Sequence, residues 1–249
     1  MTKTLRVWIT GASSGIGRAV ALEMAKRNYQ LVISGRNQVN LQELATLTQA
    51  EIVPFDVTDK SANLAAAAKI KEMLGGIDIV FLNAGNCEYI DIKQFDSDII
   101  ERMIKTNFLS MAYGVEAALP LLRNSSAPHL VAMSSSVAYF GLPRAEGYGA
   151  SKAAIRSFFQ SLRIDLMPEK IPVSIVLPGF IKTPLTDKND FPMPQRISAE
   201  NAAKKIVDGI EAKKQEIITP YFFPLFLRIL GCLPSRLASF LVHKMTSTK

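Results

Sequence analysis

Tyr148 and Lys152 stand four residues apart in the stretch 133–154, MSSSVAYFGLPRAEGYGASKAA. On a helix that spacing puts both side chains on one face. A free tyrosine, with a pKa of about 10, is a poor proton donor or acceptor at neutral pH. A nearby ammonium favours the phenolate and draws that pKa toward the working range. Ser134, Ser135 and Ser136 close an apolar run, His129–Met133, that reads as a buried strand. A serine hydroxyl delivered from that strand end could hydrogen-bond the same substrate oxygen. Such a group suits proton transfer to a carbonyl oxygen or from an alcohol. Alone, Tyr-x-x-x-Lys decides little, because many solvent-facing helices carry it. The rest of the chain must position it.

Residues 5–10 (LRVWIT) read as a strand, and Gly11-Ala12-Ser13-Ser14-Gly15-Ile16-Gly17 follows at once, ahead of a helix expected over residues 16–28. Strand, glycine loop and helix in this order form the context a dinucleotide phosphate site needs. The glycines let backbone approach phosphate oxygens, and the helix start supplies free N–H groups with a partial positive charge. The spacing is G-x-x-x-G-x-G, unlike the commoner G-x-G-x-x-G. A second strand over 30–34 ends in Gly35-Arg36-Asn37. Gly35 stands where an NAD site usually has an acid, and Arg36 beside it can meet a 2′-phosphate, which favours NADP(H) with NAD(H) as the alternative.

A helix over 39–50 leads to a third strand over 51–55, closed by Asp56 and Val57. Asp56 could accept from an adenine amino group, or begin the turn capped by Thr58 and Asp59. A helix over 61–74 and a strand over 77–82 then reach Asn83-Ala84-Gly85, whose small residues leave room for a flat ring or ribose. This alternation predicts a doubly wound parallel sheet with helices on both faces. A long helix is expected over 97–122, with Asn107 among apolar neighbours, either as a satisfied buried amide or as a residue that opens the helix and holds a water. Further elements are a helix over 148–167, a strand over 173–177 ending in Pro178-Gly179, a helix over 198–212 and a last strand over 216–219. Residues 180–197 carry three prolines and no sustained period, as lids and binding segments commonly do.

Together these pieces resemble the short-chain dehydrogenase/reductase family, in its common single-domain branch. The matching residues are the glycine loop with Thr10, Asp56, Asn83-Ala84-Gly85, Asn107, Ser135, Tyr148-Gly149-Ala150-Ser151-Lys152, and Pro178-Gly179 followed by Ile181 and Thr183. Ser135, thirteen residues before Tyr148, matches the family's catalytic serine. The resemblance implies a Rossmann-type sheet of about seven strands. It also implies hydride transfer between a nicotinamide and a carbonyl or secondary alcohol. Tyr148 would be the general acid/base and Ser135 would polarise the oxygen. Lys152 would bind ribose and lower the tyrosine pKa, and Asn107 would keep a water linking Lys152 to solvent. The implied cofactor contacts are Gly11, Ser13, Ser14, Gly15, Ile16, Gly17, Arg36, Asp56, Val57, Asn83, Ala84, Gly85, Tyr148, Lys152, Pro178, Gly179, Ile181 and Thr183. In some members a basic residue within the glycine loop also marks NADP(H); here Ser14 stands there, so Arg36 carries the preference alone. A homodimer or homotetramer through the helices ending near Leu122 and Met167 is a further expectation from the resemblance.

Composition fits a soluble α/β domain: 249 residues, 48% hydrophobic, 20% charged, net charge +7 spread in single residues and pairs. No arginine-rich arm argues for nucleic acid. Cys87 and Cys232 are too few and too scattered for a disulfide scaffold or a metal site, so a reducing, cytoplasmic setting is expected, and no signal peptide is read at the start. The chain divides into a catalytic domain over 1–220, with the lid at 180–197, and an apolar extension over 221–249. The stretch 221–245 (YFFPLFLRILGCLPSRLASFLVHKM) is interrupted by Arg228 and Arg236, and Pro224 and Pro234 are expected to break any continuous helix. Its uninterrupted apolar run is too short to span a bilayer, which takes about 20 residues. It could pack over the cleft or a subunit interface, lie peripherally in a membrane interface, or do both. Cys87, Tyr89, Tyr139, Phe140, Leu142, Phe180, Leu185 and Phe191 are expected around the cleft, which favours a lipophilic substrate. The competing reading is a non-catalytic NADP(H)-binding regulator or scaffold of the same fold; the complete Ser135/Tyr148/Lys152/Asn107 set argues against it. A second enzymatic alternative, an NAD-dependent alcohol-oxidising enzyme, is disfavoured by Arg36.

Overall fold

The computed structural model describes residues 4–246, so the outermost residues of the two expected regions, 1–3 and 247–249, lie outside it. The chain begins β1 (Arg6–Thr10), α1 (Gly15–Lys26), β2 (Gln30–Ser34), α2 (Gln38–Thr48), β3 (Glu51–Ile52), α3 (Lys60–Leu74) and β4 (Ile79–Leu82). It continues with α4 (Ser97–Met103), α5 (Ser110–Arg123), β5 (His129–Met133), α6 (Glu146–Asp165), β6 (Val173–Pro178), β7 (Ile181–Lys182) and β8 (Ile197–Ser198). The last elements are α7 (Ala199–Glu211), β9 (Glu216–Thr219), α8 (Phe222–Cys232) and α9 (Ser235–Thr246).

Seven strands form one sheet in the order β3-β2-β1-β4-β5-β6-β9. Every neighbouring pair is parallel. Central strands are apolar on both faces: Trp8, Val80, Phe81, Val131, Ile175 and Val176 are all fully buried. That is what a sheet covered by helices on both sides requires. α1 packs between α2 and α7, while α3, α5 and α6 form the other layer. The chain winds outward from β1 to β3, then restarts at β4 on the other side of β1. The crevice at the carboxyl ends of β1 and β4 is therefore the topological switch point, where ligands of such sheets bind.

Three expectations about elements change. The third strand keeps regular pairing for only two residues, because Pro54 has no N–H to donate; Val53 and Phe55 still donate singly to Ile33 and Gly35. The long helix is not continuous: a π-helical turn, Ile104–Leu109, separates α4 from α5 and contains Asn107. Pro224 does not break α8, since it lies in the first turn where its missing N–H has no intrahelical partner to lose. Pro234, by contrast, separates α8 from α9 as expected.

Candidate active site

The glycine loop is shaped by what surrounds it. Gly11 has φ +66°, and a Cβ there would stand 2.7 Å from the Ala84 Cα. A Cβ at Gly17 would collide with the Asn83 amide and the Gly11 carbonyl. Asn83 closes this packing by donating its Nδ2 to the carbonyls of Thr10 (3.0 Å) and Gly11 (3.1 Å). Thr10 Oγ1 accepts from the backbone N–H groups of Asn83 and Ala84 at 3.0 and 3.3 Å. The ends of β1 and β4 are thereby locked together, with the start of α1 facing the crevice.

Ser14 occupies the N-cap of α1 in an extended conformation, makes no side-chain cap bond, and no acid lies in the first turn. The positive end of the helix dipole is left for an outside anion. Thr183 approaches from the segment after β6: a Cβ on Gly15 would stand 3.5 Å from its methyl group. Ile181 and Thr183 are buried there, with Thr183 beside the loop.

Ser135 and Lys152 are buried, and Tyr148 retains partial exposure in the first turn of α6. The three strand-end serines separate cleanly by partner. Ser134 donates its hydroxyl to the Lys152 carbonyl at 2.9 Å, tying β5 to α6. Ser136 opens a short 3₁₀ turn. Ser135 Oγ accepts from the Val137 N–H at 3.4 Å and is the serine whose side chain acts on the Tyr148 hydroxyl. Burial pushes the Tyr148 hydroxyl above its ordinary range, Cys87 nearby adds to this, and the Ser135 bond pulls the other way. Burial also lowers Lys152, to about 8. Lys152 donates Nζ to the Met133 carbonyl at 3.1 Å and lies 5.7 Å from the centre of the Tyr148 ring. Lys152 is not among the causes of this shift: burial and Cys87 raise the tyrosine, and Ser135 opposes them.

Asn107, fully buried in the π turn, uses both ends of its amide. Oδ1 accepts from the Asn86 N–H at 2.7 Å; Nδ2 donates to the Asn86 carbonyl at 3.0 Å and to Ser151 Oγ at 2.9 Å. Ser151 in turn donates to the Tyr148 carbonyl at 2.7 Å. Asn107 thus clamps the segment after Gly85 to the helix that carries Tyr148 and Lys152. Ser151 had no assigned role in the sequence, although it sits inside the Tyr-x-x-x-Lys motif. Ser134 and Thr10 are two further positioning residues that spacing alone did not single out.

At the outer end of the crevice, Arg36 is 77% exposed and its Nη1 lies 3.8 Å from Asp56 Oδ2. The other carboxylate oxygen of Asp56 accepts from the N–H and hydroxyl of Thr58, both at 2.9 Å. Asp56 is thus held in the turn, its second reading, with one oxygen toward Arg36. Val57 adjoins it and lines a small void with Thr10, Asn63 and Ala84.

The apolar residues expected around the cleft fall into two groups. Tyr89, Phe191 and Phe180 follow one another in a row, with ring centres 5.6 and 6.1 Å apart; the Tyr89 hydroxyl donates to Asn189 at 3.0 Å, and Cys87 lies near both Tyr89 and Tyr148. Leu185 is half-buried in the same lid. Tyr139, Phe140 and Leu142 instead pack against Leu227, Leu230 and Val242 of α8 and α9. The Tyr139 hydroxyl donates to Glu216 at 3.0 Å, which draws that ring away from the catalytic group. Among the described residues no cluster of His, Cys, Asp and Glu could hold a metal ion.

The family model described as short chain dehydrogenase matches residues 6–192. A protein of Myxococcus xanthus named as an uncharacterized oxidoreductase is 34% identical, over 92% of each chain. The 11-beta-hydroxysteroid dehydrogenase 1A of Arabidopsis thaliana is also 34% identical, over 87% of this chain and 68% of its own. An alcohol dehydrogenase of Thermococcus sibiricus, solved with 5-hydroxy-NADP, superposes with a TM-score of 0.77 at 23% identity, covering 87% of this chain and 96% of that one. A short chain dehydrogenase/reductase of Burkholderia phymatum, solved with NAD, gives 0.82 at 22%, covering 91% and 92%. At these identities the two structures show a shared fold.

Proposed function

The chain belongs to the short-chain dehydrogenase/reductase family of oxidoreductases, and within it we propose an NADP(H)-dependent reductase of lipophilic carbonyl compounds. The observation that carries this reading is the convergence of Ser135, Tyr148 and Lys152 at the carboxyl edge of the sheet, beside a glycine loop and an uncapped helix start. The loop fits a nicotinamide dinucleotide. Its backbone has no room for side chains at Gly11 and Gly17, and the start of α1 offers N–H groups to a pyrophosphate. Ser13, Ser14, Gly15 and Ile16 would hold that group, Arg36 the 2′-phosphate, and Asn83, Ala84, Gly85, Lys152, Pro178, Gly179, Ile181 and Thr183 the nicotinamide half. When bound, the dinucleotide supplies hydride to a carbonyl carbon or takes it from the corresponding alcohol.

The chain's own residues handle the oxygen. Ser135 donates a hydrogen bond to the carbonyl oxygen and polarises it. Tyr148 gives its proton to that oxygen as negative charge grows there. A raised tyrosine suits this direction: the proton is present at neutral pH, and it still moves downhill to an alkoxide, whose basicity approaches that of hydroxide (water, about 15.7). The Lys152 ammonium, held nearby, then balances the phenolate left behind. Asn107, through Ser151, keeps the Tyr148 turn in place while this happens.

The substrate class rests on the Tyr89–Phe191–Phe180 row and is supported by the likeness to a plant hydroxysteroid dehydrogenase. The test is NADPH oxidation with matched panels of long-chain or polycyclic ketones and of sugar or keto-acid carbonyls. Turnover on the apolar panel is expected. Faster turnover on the polar panel would overturn the substrate class, and tight NADPH binding with no turnover on either would favour the regulator. Pairing of copies through α5 and α6, into a dimer or tetramer, belongs to the same reading.

A further inference from the structure

The α8–α9 hairpin has two apolar sides, and the fold uses one. Inward, Leu227, Leu230 and Val242 meet Tyr139, Phe140 and Leu142. Gly231 lets α8 lie against the loop, since a Cβ there would stand 2.5 Å from the Tyr139 carbonyl oxygen. Outward, Phe222 and Phe240 are 68% and 61% exposed, and Phe226, Ile229, Leu237 and Met245 are exposed with them. Phe222, Phe226 and Ile229 recur at helical spacing, so they form a stripe rather than a scatter. Large side chains grouped this way on a surface mark a contact with something apolar.

Charge selects what that something is. From Ile217 onward the sequence has no Asp or Glu, while α8 and α9 carry Arg228, Arg236 and Lys244. Two copies of this face brought together about a two-fold axis would set cations against cations, and the acid that meets Arg228, Glu216 at 4.0 Å, already accepts from Tyr139 and Arg156 of its own copy. An apolar surface rimmed with negative charge would complement it. Neither helix can cross a bilayer: no helix among the described residues is long and apolar enough, and eleven- and twelve-residue helices reach only about 17 Å each.

We propose that the outward face of α8 and α9 seats this protein in the headgroup region of an anionic lipid bilayer. The consequence for the site is direct. Phe223 of α8 stacks on Phe180 at 4.7 Å, continuing the row through Phe191 to Tyr89. An apolar substrate dissolved in the membrane would meet this row at the bilayer surface; that last link rests on the reductase reading, whereas the docking itself does not.

The test is flotation of the full chain with vesicles, scored by protein in the lipid fraction without any turnover. Strong flotation is expected with equal parts phosphatidylcholine and phosphatidylglycerol, weak flotation with phosphatidylcholine alone, and partial release by added salt. Phe240→Ser should lower partitioning roughly tenfold, and Arg236→Gln roughly fivefold, with thermal midpoints unchanged. Absence of flotation on the anionic vesicles overturns the proposal. So does equal flotation on both lipids, or flotation indifferent to Phe240→Ser. A concentration-dependent dimer that Phe240→Ser splits, without lipid binding, would assign the face to a second copy.

Discussion

The two edges of the seven-stranded sheet treat buried polar groups in opposite ways. At the amino edge every strong group is tied down. Asp78 accepts from Arg6 Nε and Nη2 and from the Arg6 backbone N–H, all at 2.9 Å, and from the Ser125 hydroxyl at 2.6 Å. His129 shares a 2.8 Å bond with Ser174, which donates onward to the Lys214 carbonyl. At the carboxyl edge, Lys152 donates to the Met133 carbonyl and has further N–H groups to give, and the Tyr148 hydroxyl lies within the influence of Ser135. Satisfied groups stabilise; groups with hydrogen-bonding capacity to spare do chemistry on something else. Strand direction assigns the roles, because only the carboxyl edge also faces a helix start and the switch point.

The sharpest break of this comparison is a pair of single substitutions. Tyr148→Phe should lower turnover by roughly 10²–10⁴-fold, the range for loss of a general acid, with little change in the melting midpoint. Asp78→Ala should do the reverse. It leaves Arg6 without its partner, where the Asp78 side chain is fully buried, and should cost about 3–5 kcal/mol of stability. Turnover per folded molecule should survive. Activity assays beside denaturant unfolding read both. A Tyr148→Phe protein that retains turnover, or an Asp78→Ala protein as stable as the parent, would erase the division of labour between the edges.

A milder probe is acid. Burial lowers His129 to about 4, against an ordinary 6.5. Between those values the unfolded chain binds a proton that the folded chain refuses, so stability falls as pH falls from 6.5 toward 4. The loss should reach about 3 kcal/mol. Arg6, donating to Asp78, holds that carboxyl far below its usual range despite burial, so its contribution is lost only at still lower pH. Unfolding midpoints across this range should slope upward with pH, and His129→Gln should flatten the upper part of the slope.

What could be read from the sequence was what local spacing fixes. The glycine loop, the Tyr148–Lys152 pair and the order of strands and helices need only neighbours along the chain. Whatever depends on a distant partner was not legible. Asn107 lies in a π turn, its amide spent on Asn86 and Ser151, a residue forty-four positions away. Tyr139 is an aromatic beside the catalytic loop, yet Glu216, brought in by β9, draws its hydroxyl toward the hairpin. The pKa of Tyr148 shows the same limit. Pairing with Lys152 was legible four residues away, whereas the burial and the Cys87 that raise the tyrosine come only with the folded chain.

Arg36 is the smallest and most exposed test of the carboxyl edge. Its 3.8 Å approach to Asp56 is a surface pair, weak enough to be exchanged for a better partner at little cost. A 2′-phosphate is such a partner, since its oxygens match the guanidinium fork more closely than one distant carboxylate oxygen does. Arg36→Ala should therefore weaken NADPH binding about tenfold and leave NADH binding nearly unchanged, and it should remove part of the salt dependence seen with NADPH. Paired titrations of both cofactors into parent and variant decide it. Equal affinity for the two cofactors in the parent would take the role from Arg36 and leave it a solvated charge beside Asp56. The catalytic group would be untouched by that outcome, because Ser135, Tyr148 and Lys152 are built by β5 and α6 and owe nothing to the end of β2.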